Sequence, residues 1–276
     1  MAGLRFLERK TFQTADLVII TTKESHRRIA IERGGMAEAN VYVVRSGPDL
    51  KRLTLYPPEP AWHKGKRHLV VYLGEICKQD GVDHLIRALK LLRDEFRRDD
   101  IHCVLVGGGP YQPSIKAYAE EVGVAGLCTF TGRVSDDDLC RVLSSADVGV
   151  DPDNMYDWSD KSTMNKIMEY MFFSLPIVAY DLTEHRVSAG SAALFADANR
   201  ERALAGCISE LLDDPARRQR MGRAGRKRVQ ADLAWEHSAP VLLAAYERLW
   251  QTPGGAYAIA LEQRSADRSA ASRTSP

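Results

Sequence analysis

The 276-residue chain has the composition of an ordinary globular protein, with 45% hydrophobic and 27% charged residues. Its net charge of +1 excludes a strong overall attraction to nucleic acid or to an anionic membrane. No apolar run reaches the roughly 20 residues that a membrane span requires, and the first ten residues lack the apolar core of a signal peptide. We therefore expect a cytoplasmic protein, with peripheral attachment to the cytoplasmic face of the membrane as the alternative.

Short apolar runs alternate with amphipathic helical segments along most of the chain. The apolar runs are brief, rich in β-branched residues and apolar on both faces, which is typical of parallel strands covered by helices on each side. The clearest helix covers Val82–Phe96, where Leu85, Leu89 and Leu92 share one face. This alternation predicts an α/β fold with a Rossmann-like, doubly wound parallel sheet. The predicted strands are Asp16–Ile20, Val41–Val44, His68–Leu73, Ile101–Gly107, Leu127–Gly132, Asp147–Val150, Pro176–Tyr180 and Ala192–Ala196. Further predicted helices are Ala117–Glu121, Ser135–Ser145, Met164–Phe173 and Arg200–Leu212.

Two segments interrupt this alternation. Residues 46–67 are rich in proline and aperiodic, which predicts a linker. Residues 251–276 end in a stretch of serine, alanine and arginine, which predicts a disordered tail. The remaining parts are a short α/β segment, residues 1–45, and a large domain, residues 68–250.

The basic run Arg217–Arg228 has two interpretations. It could bind nucleic acid, but no aromatic side chain is interleaved for base stacking. The preferred interpretation is a solvated helix pair, with Met221 and Val229 facing inward. The five cysteines, which show neither metal-finger nor redox spacing, are interpreted as small core residues.

Glycine-rich turns follow several of the predicted strands. They include Gly74–Gly81, Gly107–Pro110 and the turn at Gly132. Ligands of open α/β sheets bind beyond the carboxyl ends of the strands, and glycine turns offer uncrowded backbone N–H groups to phosphates. Each turn alone could be no more than a tight strand exit. The dinucleotide fingerprint G-x-G-x-x-G is absent from the first strand–helix turn, which disfavours a classical NAD enzyme.

Two acidic clusters raise the question of a metal ion. Asp151 with Asp153, and the run Asp136–Asp138, could offer hard oxygen ligands. The second cluster is better interpreted as the start of a helix capped by Ser135, where acidic side chains suit the positive helix end. The first cluster opens a loop without a further ligand set, so we predict no metal site.

The order and spacing of four motifs resemble the retaining, nucleotide-sugar-dependent glycosyltransferases of family 4, which have the GT-B fold. The motifs are "VVYLGEICKQDGVDHLIRAL", "FTGRVSDDDLCRVLSSADVGVDP", "NKIMEYMFFSLPIVAYD" and "LLDDPARRQRMGRAGRKRV". The resemblance covers Ala15 to about Trp250. It implies that residues 68–250 are the C-terminal, donor-binding half of such an enzyme and that residues 1–45 are the end of the N-terminal acceptor domain.

The resemblance also implies roles for individual residues. Glu169 corresponds to the glutamate that binds the ribose hydroxyls of the donor, and Lys166 and Lys78 could neutralise phosphate charge, so these three are the predicted catalytic residues. No cofactor is implied beyond the nucleotide-diphosphate sugar itself. The predicted donor-binding residues are Gly74, Gly81, Arg133, Val134, Thr163, Met164, Asn165 and Glu169.

Several positions depart from the family pattern. In the family, two glutamates are common at this helix start, and Lys161 stands in place of the first of them. Glu75 and Asp80 stand in place of an arginine and a lysine of the first glycine turn. The bulky side chains of Phe172 and Phe173 stand where small residues are common. The acceptor-binding part of the N-terminal domain has no counterpart here, so a partner chain could supply it.

Two functions remain open at this point. The chain could be the donor-binding half of a hexosyltransferase that moves a sugar to a glycan or lipid-linked acceptor without a metal. Alternatively, it is a truncated or degenerate homologue that binds nucleotide without catalysing transfer, or the donor subunit of a split enzyme.

Overall fold

The structure is a computed structural model that describes residues 2–251 and consists of two compact units. The first unit comprises Met1–Arg45 together with the chain from Glu236 onward, and the second comprises Ser46–Trp235. All but the first residue of the predicted tail lies outside the described residues. The sequence-based domain boundaries therefore stay predictions.

Ten helices and eight strands make up the regular structure of the described residues. The strands are β1 (Val18–Ile20), β2 (Val41–Val43), β3 (His68–Leu73), β4 (Ile101–Val106), β5 (Cys128–Gly132), β6 (Val148–Asp151), β7 (Ile177–Tyr180) and β8 (Ala193–Ala196). The helices are α1 (Ala2–Thr14), α2 (His26–Arg28), α3 (Val82–Asp94), α4 (Gln112–Glu121), α5 (Asp136–Ser145), α6 (Asn165–Phe172), α7 (Thr183–Ala189), α8 (Glu201–Asp213), α9 (Pro215–Arg228) and α10 (Trp235–Gln251). Each predicted strand is present within two residues of its expected bounds.

The second unit contains one six-stranded sheet in the order β5-β4-β3-β6-β7-β8, with every pair parallel. The chain moves outward from β3 to β5, then returns to place β6 beside β3 and moves outward in the other direction. The order therefore reverses between β3 and β6. In such sheets, ligands bind beyond the carboxyl ends of the strands at this reversal.

Helices cover both faces of this sheet, as the continuous apolar strands predicted. Val70 and Tyr72 of β3 face a core built with α3 and α8, whereas Leu69 and Val71 face a core built with α5 and α6. All four strand side chains are fully buried. The period-two alternation of a strand thus supplies both cores from one short run.

The predicted linker lies along α5 as a strap, which we define as residues 46–67. The backbone N–H groups of Tyr56 and Glu59 donate to the hydroxyls of Ser144 and Ser145, at 3.0 and 2.9 Å. The guanidinium of Arg141 stacks 4.2 Å from the Tyr56 ring centroid. Leu50, Leu53 and Trp62 of the strap also pack against the core that contains α5 and α6, but they do not follow the regular spacing of a helix or a strand, so periodicity could not predict this segment.

The first unit contains the parallel pair β1–β2, in which Val18 is opposite Val41. The helix α1 in this unit exposes Leu4, Phe6 and Leu7. Among the described residues, no helix is both long enough and apolar enough to cross a membrane.

The turn between α6 and β7 contains a strained residue. Ser174 has a φ of 58°, in the left-handed region that favours glycine, and its hydroxyl forms no hydrogen bond with residues 2–251. We expect Ser174→Gly to raise the free energy of unfolding by about 0.5–1 kcal/mol, because relief of strain outweighs the extra freedom of the unfolded chain. Urea denaturation measures this change when the dependence of the unfolding free energy on urea concentration is the same for parent and variant.

Asn199 provides a matched control, since its φ is also 58°. Its Oδ1 accepts a hydrogen bond from the backbone N–H of Met155 at 2.8 Å, which a glycine would lose. We expect Asn199→Gly to be less stable than the parent. A Ser174→Gly variant that is no more stable than the parent would show that its backbone does not store this strain.

Candidate functional site

Two glycine turns approach each other where β3 and β4 end. Gly74 and Gly107 have φ of 152° and 118°, and a Cβ on Gly107 would lie 1.9 Å from the carbonyl oxygen of Gly74. Only glycine allows this approach. The turns border a cavity of about 620 Å³, which we name the glycine-turn cavity. Its lining residues are Leu73, Gly74, Glu75, Gly107, Gly108, Gly109 and Arg133.

Arg133 is the cation among these lining residues, and Glu75 is the carboxylate. Both side chains belong to exposed residues, and neither forms an ion pair with another residue in the described part of the chain. The guanidinium of Arg133 is therefore available to an anion that enters the glycine-turn cavity. Arg133 is one of the donor-binding residues predicted from the sequence.

The start of α6 lies at the same edge of the sheet. Met164 precedes the helix with an extended backbone, and no side chain caps the first turn. The first N–H groups of a helix have no intrahelical partner, so an anion can accept from them. The Oγ1 of Thr163 is also buried without a hydrogen-bond partner in residues 2–251.

Glu169 and Asn165 line a second cavity of about 180 Å³, which we name the strap cavity. Burial raises the pKa of Glu169, and the positive charge of Arg52 opposes this shift. Arg52 in turn donates to Asp136 at 2.6 Å. Glu169 thus faces a crevice rather than open solvent. The complete lining is Gly47, Pro48, Asp49, Arg52, Leu53, Asp136, Leu139, Asn165 and Glu169.

Lys166 lies beneath the glycine turn in a buried cluster of charged groups. Its ammonium is 2.7 Å from Asp153 and 3.2 Å from Asp151, and 5.2 Å from the centroid of the Tyr72 ring. Its Cε would be 3.3 Å from a Cβ placed on Gly74. Lys166, which was predicted to neutralise phosphate charge, thus contacts two aspartates in this structure. Its side chain is only 11% exposed.

Burial and mutual repulsion set the charges of this cluster. Burial and the negative charge of Asp151 raise the pKa of Asp153 to about 8, so Asp153 is mostly protonated near neutrality. Burial alone would raise the pKa of Asp151, but Lys166 and His185 lower it below its usual value. The two carboxylates outweigh burial and raise the pKa of Lys166. Near neutral pH the cluster holds one ion pair, Lys166 with Asp151.

Asp151, Asp153 and His185 also form the set that could ligate a metal, with ligand atoms within 4.8 Å of one another. His185 donates from Nδ1 to the carbonyl of Tyr180 at 2.9 Å, and its Nε2 lies 3.4 Å from Asp151. The ammonium of Lys166, however, already compensates the charge of these carboxylates. The absence of a metal from the reaction stays a prediction.

Other predicted site residues lie outside both cavities. Lys78 is exposed on a short 3-10 turn. Gly81, with φ 64°, begins α3, and a Cβ there would meet the carbonyl oxygen of Pro152 at 1.9 Å. Val134 packs against the apolar core between the sheet, α5 and α6. Lys161 pairs with Asp157.

The aromatic rings of Phe172 and Phe173 do not fill the space near the start of α6. Both are 7% exposed and pack edge to face, with centroids 5.2 Å apart, at the far end of this helix. The bulky residues of this motif are therefore part of the core. Sequence reasoning missed Arg52 and His185, since no motif marks them and only the folded chain brings them to the site.

Comparisons with known proteins agree with this fold. The family model "Glycosyl transferases group 1" matches residues 59–228. The chain belongs to this family. It is 29% identical over 250 residues to a GDP-mannose-dependent alpha-(1-6)-phosphatidylinositol monomannoside mannosyltransferase of Mycobacterium tuberculosis, an alignment that covers 86% of this chain and 63% of the relative. It is 26% identical over 252 residues to a 2-deoxystreptamine glucosyltransferase of Streptomyces kanamyceticus, with 88% and 63% covered.

Solved structures show the same fold at low sequence identity. Sucrose-phosphate synthase of Thermosynechococcus elongatus superposes with a TM-score of 0.75 at 23% identity, over 91% of this chain and 62% of that one. Anabaena HepE in complex with UDP superposes with a TM-score of 0.73 at 15% identity, over 90% and 68%. The chain thus has the α/β fold of GT-B glycosyltransferases, and it spans 63% of the length of the two curated relatives named above.

Proposed function

We propose that the chain is the donor-binding part of a retaining family 4 glycosyltransferase that moves a sugar from a nucleotide diphosphate to a glycan or lipid-linked acceptor. Membership of the group 1 family supports the transfer chemistry. The observation that carries the assignment is the uncapped start of α6, with Glu169 one turn later facing the strap cavity. An N–H cluster and a carboxylate at this spacing suit a diphosphate and an adjoining ribose.

The roles divide among three parts of the site. The carboxylate of Glu169 accepts hydrogen bonds from the two ribose hydroxyls, as an ionised acceptor can. The N–H groups at the start of α6 and the glycine turns receive the diphosphate. Arg133 adds the positive charge that stabilises the departing diphosphate, an electrostatic contribution that needs no metal.

Lys166 acts through its contacts with Asp151 and Asp153 instead of contacting phosphate. Its ion pair with Asp151 joins the end of β6 to the first turn of α6. The same side chain lies under Gly74, so it fixes the glycine turn relative to the helix start. Lys166 is accordingly a positioning residue.

Calorimetric titration with UDP and GDP tests the ribose contact. We expect Glu169→Gln to weaken binding about tenfold, because one charged acceptor of two hydroxyls is lost. Affinity in the parent should fall as the pH drops toward the raised pKa of Glu169, since the protonated carboxyl accepts less well. Each nucleotide is compared with an analogue that carries the same base and the same phosphates.

The matched ligand is the 2′,3′-dideoxy nucleotide, which lacks both hydroxyls. It should bind the parent and Glu169→Gln equally, and the exposed control Glu120→Gln should bind as the parent does. No binding of either nucleotide to the parent would refute the proposal. Binding without transfer or donor hydrolysis, even with the acceptor half supplied, would favour the degenerate homologue.

A further inference from the structure

The helix α9 contains seven basic residues and no acidic residue. Three of its arginines have structural partners. Arg217 pairs with Glu210, Arg218 donates to the carbonyls of Leu211 and Leu212 at 2.8 and 2.7 Å, and Arg228 donates to the carbonyls of Val187 and Ser188. These contacts hold α9 on the rest of its unit, and they account for only part of its charge.

A second group of cations on α9 faces outward. Arg220, Arg223 and Lys227 are exposed and form neither an ion pair nor a hydrogen bond with residues 2–251. Their spacing of three and four residues puts them on one side of the helix. Arg226 adds a fourth charge beside them, 4.9 Å from the centroid of the Phe172 ring. The fold does not need this outward charge for any contact in the described chain.

Three of these cations border a cavity of about 520 Å³, which we name the α9 cavity. No carboxylate of residues 2–251 lines it. Its wall is fixed, because a Cβ on Gly222 would lie 1.9 Å from the carbonyl oxygen of Ser174, so the helix and the turn touch through their backbones. Ser174 itself has the strained backbone described above, and strained residues often border functional sites. The lining residues are Ser174, Arg223, Arg226, Lys227, Gln230 and Ala231.

The α9 cavity is remote from the candidate donor site. Ser174 follows the last turn of α6, whereas the predicted diphosphate site is at the first turn of the same helix. Eight helical residues separate the two ends by about 12 Å. The cations of α9 therefore lie at the opposite end of α6 from the N–H groups proposed to receive the diphosphate.

We propose that the α9 cavity is a second anion site, which binds a phosphate group carried by a ligand other than the sugar donor. Two guanidinium groups, one ammonium and a hydroxyl supply hydrogen-bond donors of the kind that phosphates require. The volume suits a phosphorylated sugar or a lipid headgroup. The lining has no aromatic side chain on which a nucleic acid base could stack.

The probe is inorganic pyrophosphate, titrated calorimetrically into the full chain in the presence of excess UDP. The neutral variant Arg223→Gln/Arg226→Gln/Lys227→Gln should bind pyrophosphate at least about tenfold more weakly than the parent. Added salt should weaken binding to the parent, since the site is open to solvent. The variant should keep the UDP affinity of the parent, which shows that it is folded.

A control variant removes the same charge elsewhere. Arg67→Gln/Lys116→Gln/Arg200→Gln replaces three exposed cations and should bind pyrophosphate as the parent does. Sedimentation with phosphatidylcholine vesicles, with and without phosphatidylglycerol, identifies the source of the phosphate. Binding to anionic vesicles that the α9 variant loses identifies a lipid headgroup, and pyrophosphate binding without vesicle binding identifies a free phosphorylated ligand.

Several results would overturn the inference. One is the absence of pyrophosphate binding by the parent. Others are pyrophosphate binding by the α9 variant as tight as that of the parent, or a loss of affinity in the control variant as large as that in the α9 variant. The last is a parent that binds an oligoribonucleotide but does not bind pyrophosphate. The donor proposal is judged separately. If UDP does not bind while pyrophosphate binding still depends on α9, then the donor proposal fails and this one stands.

Discussion

Replacement of Lys166 by methionine should lower the free energy of unfolding by about 3–5 kcal/mol, because it leaves the buried carboxylate of Asp151 without its cation. Asp151 is fully buried, and its compensation comes mainly from this ammonium at 3.2 Å. Methionine keeps the length of the side chain and its contact with Tyr72, so the loss reports charge and not volume. Urea denaturation of parent and variant measures the difference.

The loss should also grow with pH. Without Lys166, the pKa of Asp151 rises, and a carboxyl whose pKa is higher in the folded than in the unfolded state destabilises the fold as the pH increases. The deficit should widen between about pH 5 and about pH 8, by up to about 1.4 kcal/mol per unit. A constant deficit would mean that Asp151 keeps its lowered pKa without Lys166, contrary to this account of the cluster.

Asp153→Asn is the discriminating control for this cluster. The carboxyl of Asp153 is mostly protonated near neutrality, since its pKa is about 8, so an uncharged amide replaces an uncharged acid. We expect a change within about 1 kcal/mol at neutral pH. A loss as large as that of Lys166→Met would assign the negative charge to Asp153 and reverse the roles of the two aspartates.

Replacement of Arg133 by alanine should weaken the binding of UDP or GDP about tenfold to a hundredfold, the worth of a charge-assisted hydrogen bond. Arg133 is the cation that lines the glycine-turn cavity, whereas Lys166 is bound to carboxylates below it. The free nucleoside should bind Arg133→Ala and the parent alike, because it carries no phosphate. Calorimetry with both ligands isolates the contact between arginine and diphosphate.

Arg67→Ala is the matched control for Arg133, since Arg67 is exposed, forms no ion pair with the described residues and is separate from both cavities. It should leave both affinities unchanged. If Arg133→Ala weakens nucleoside and nucleotide equally, then its side chain contacts the base, and the charge at the diphosphate has another source. Retained binding of both ligands would remove Arg133 from the site.

Much of the site region followed from local sequence. The acidic run Asp136–Asp138 was expected to begin a helix capped by Ser135, and the Ser135 hydroxyl accepts from the Asp138 N–H at 3.1 Å. The inward positions of Met221 on α9 and of Val229 directly after this helix were also confirmed. Such features depend on neighbours within a few residues, which a single sequence displays directly.

The sequence by itself determined the α/β alternation, the strand positions and the glycine turns beyond the strands, because apolar periodicity and glycine act locally. Only the tertiary structure decided the partners of the charged groups. Lys166 and Asp151 are 15 residues apart in the chain, and Arg52 and Asp136 are 84 apart. Whether a lysine contacts phosphate or carboxylate depends on which strands end beside it. For Lys166, the pairing of β6 with β3 determines these neighbours.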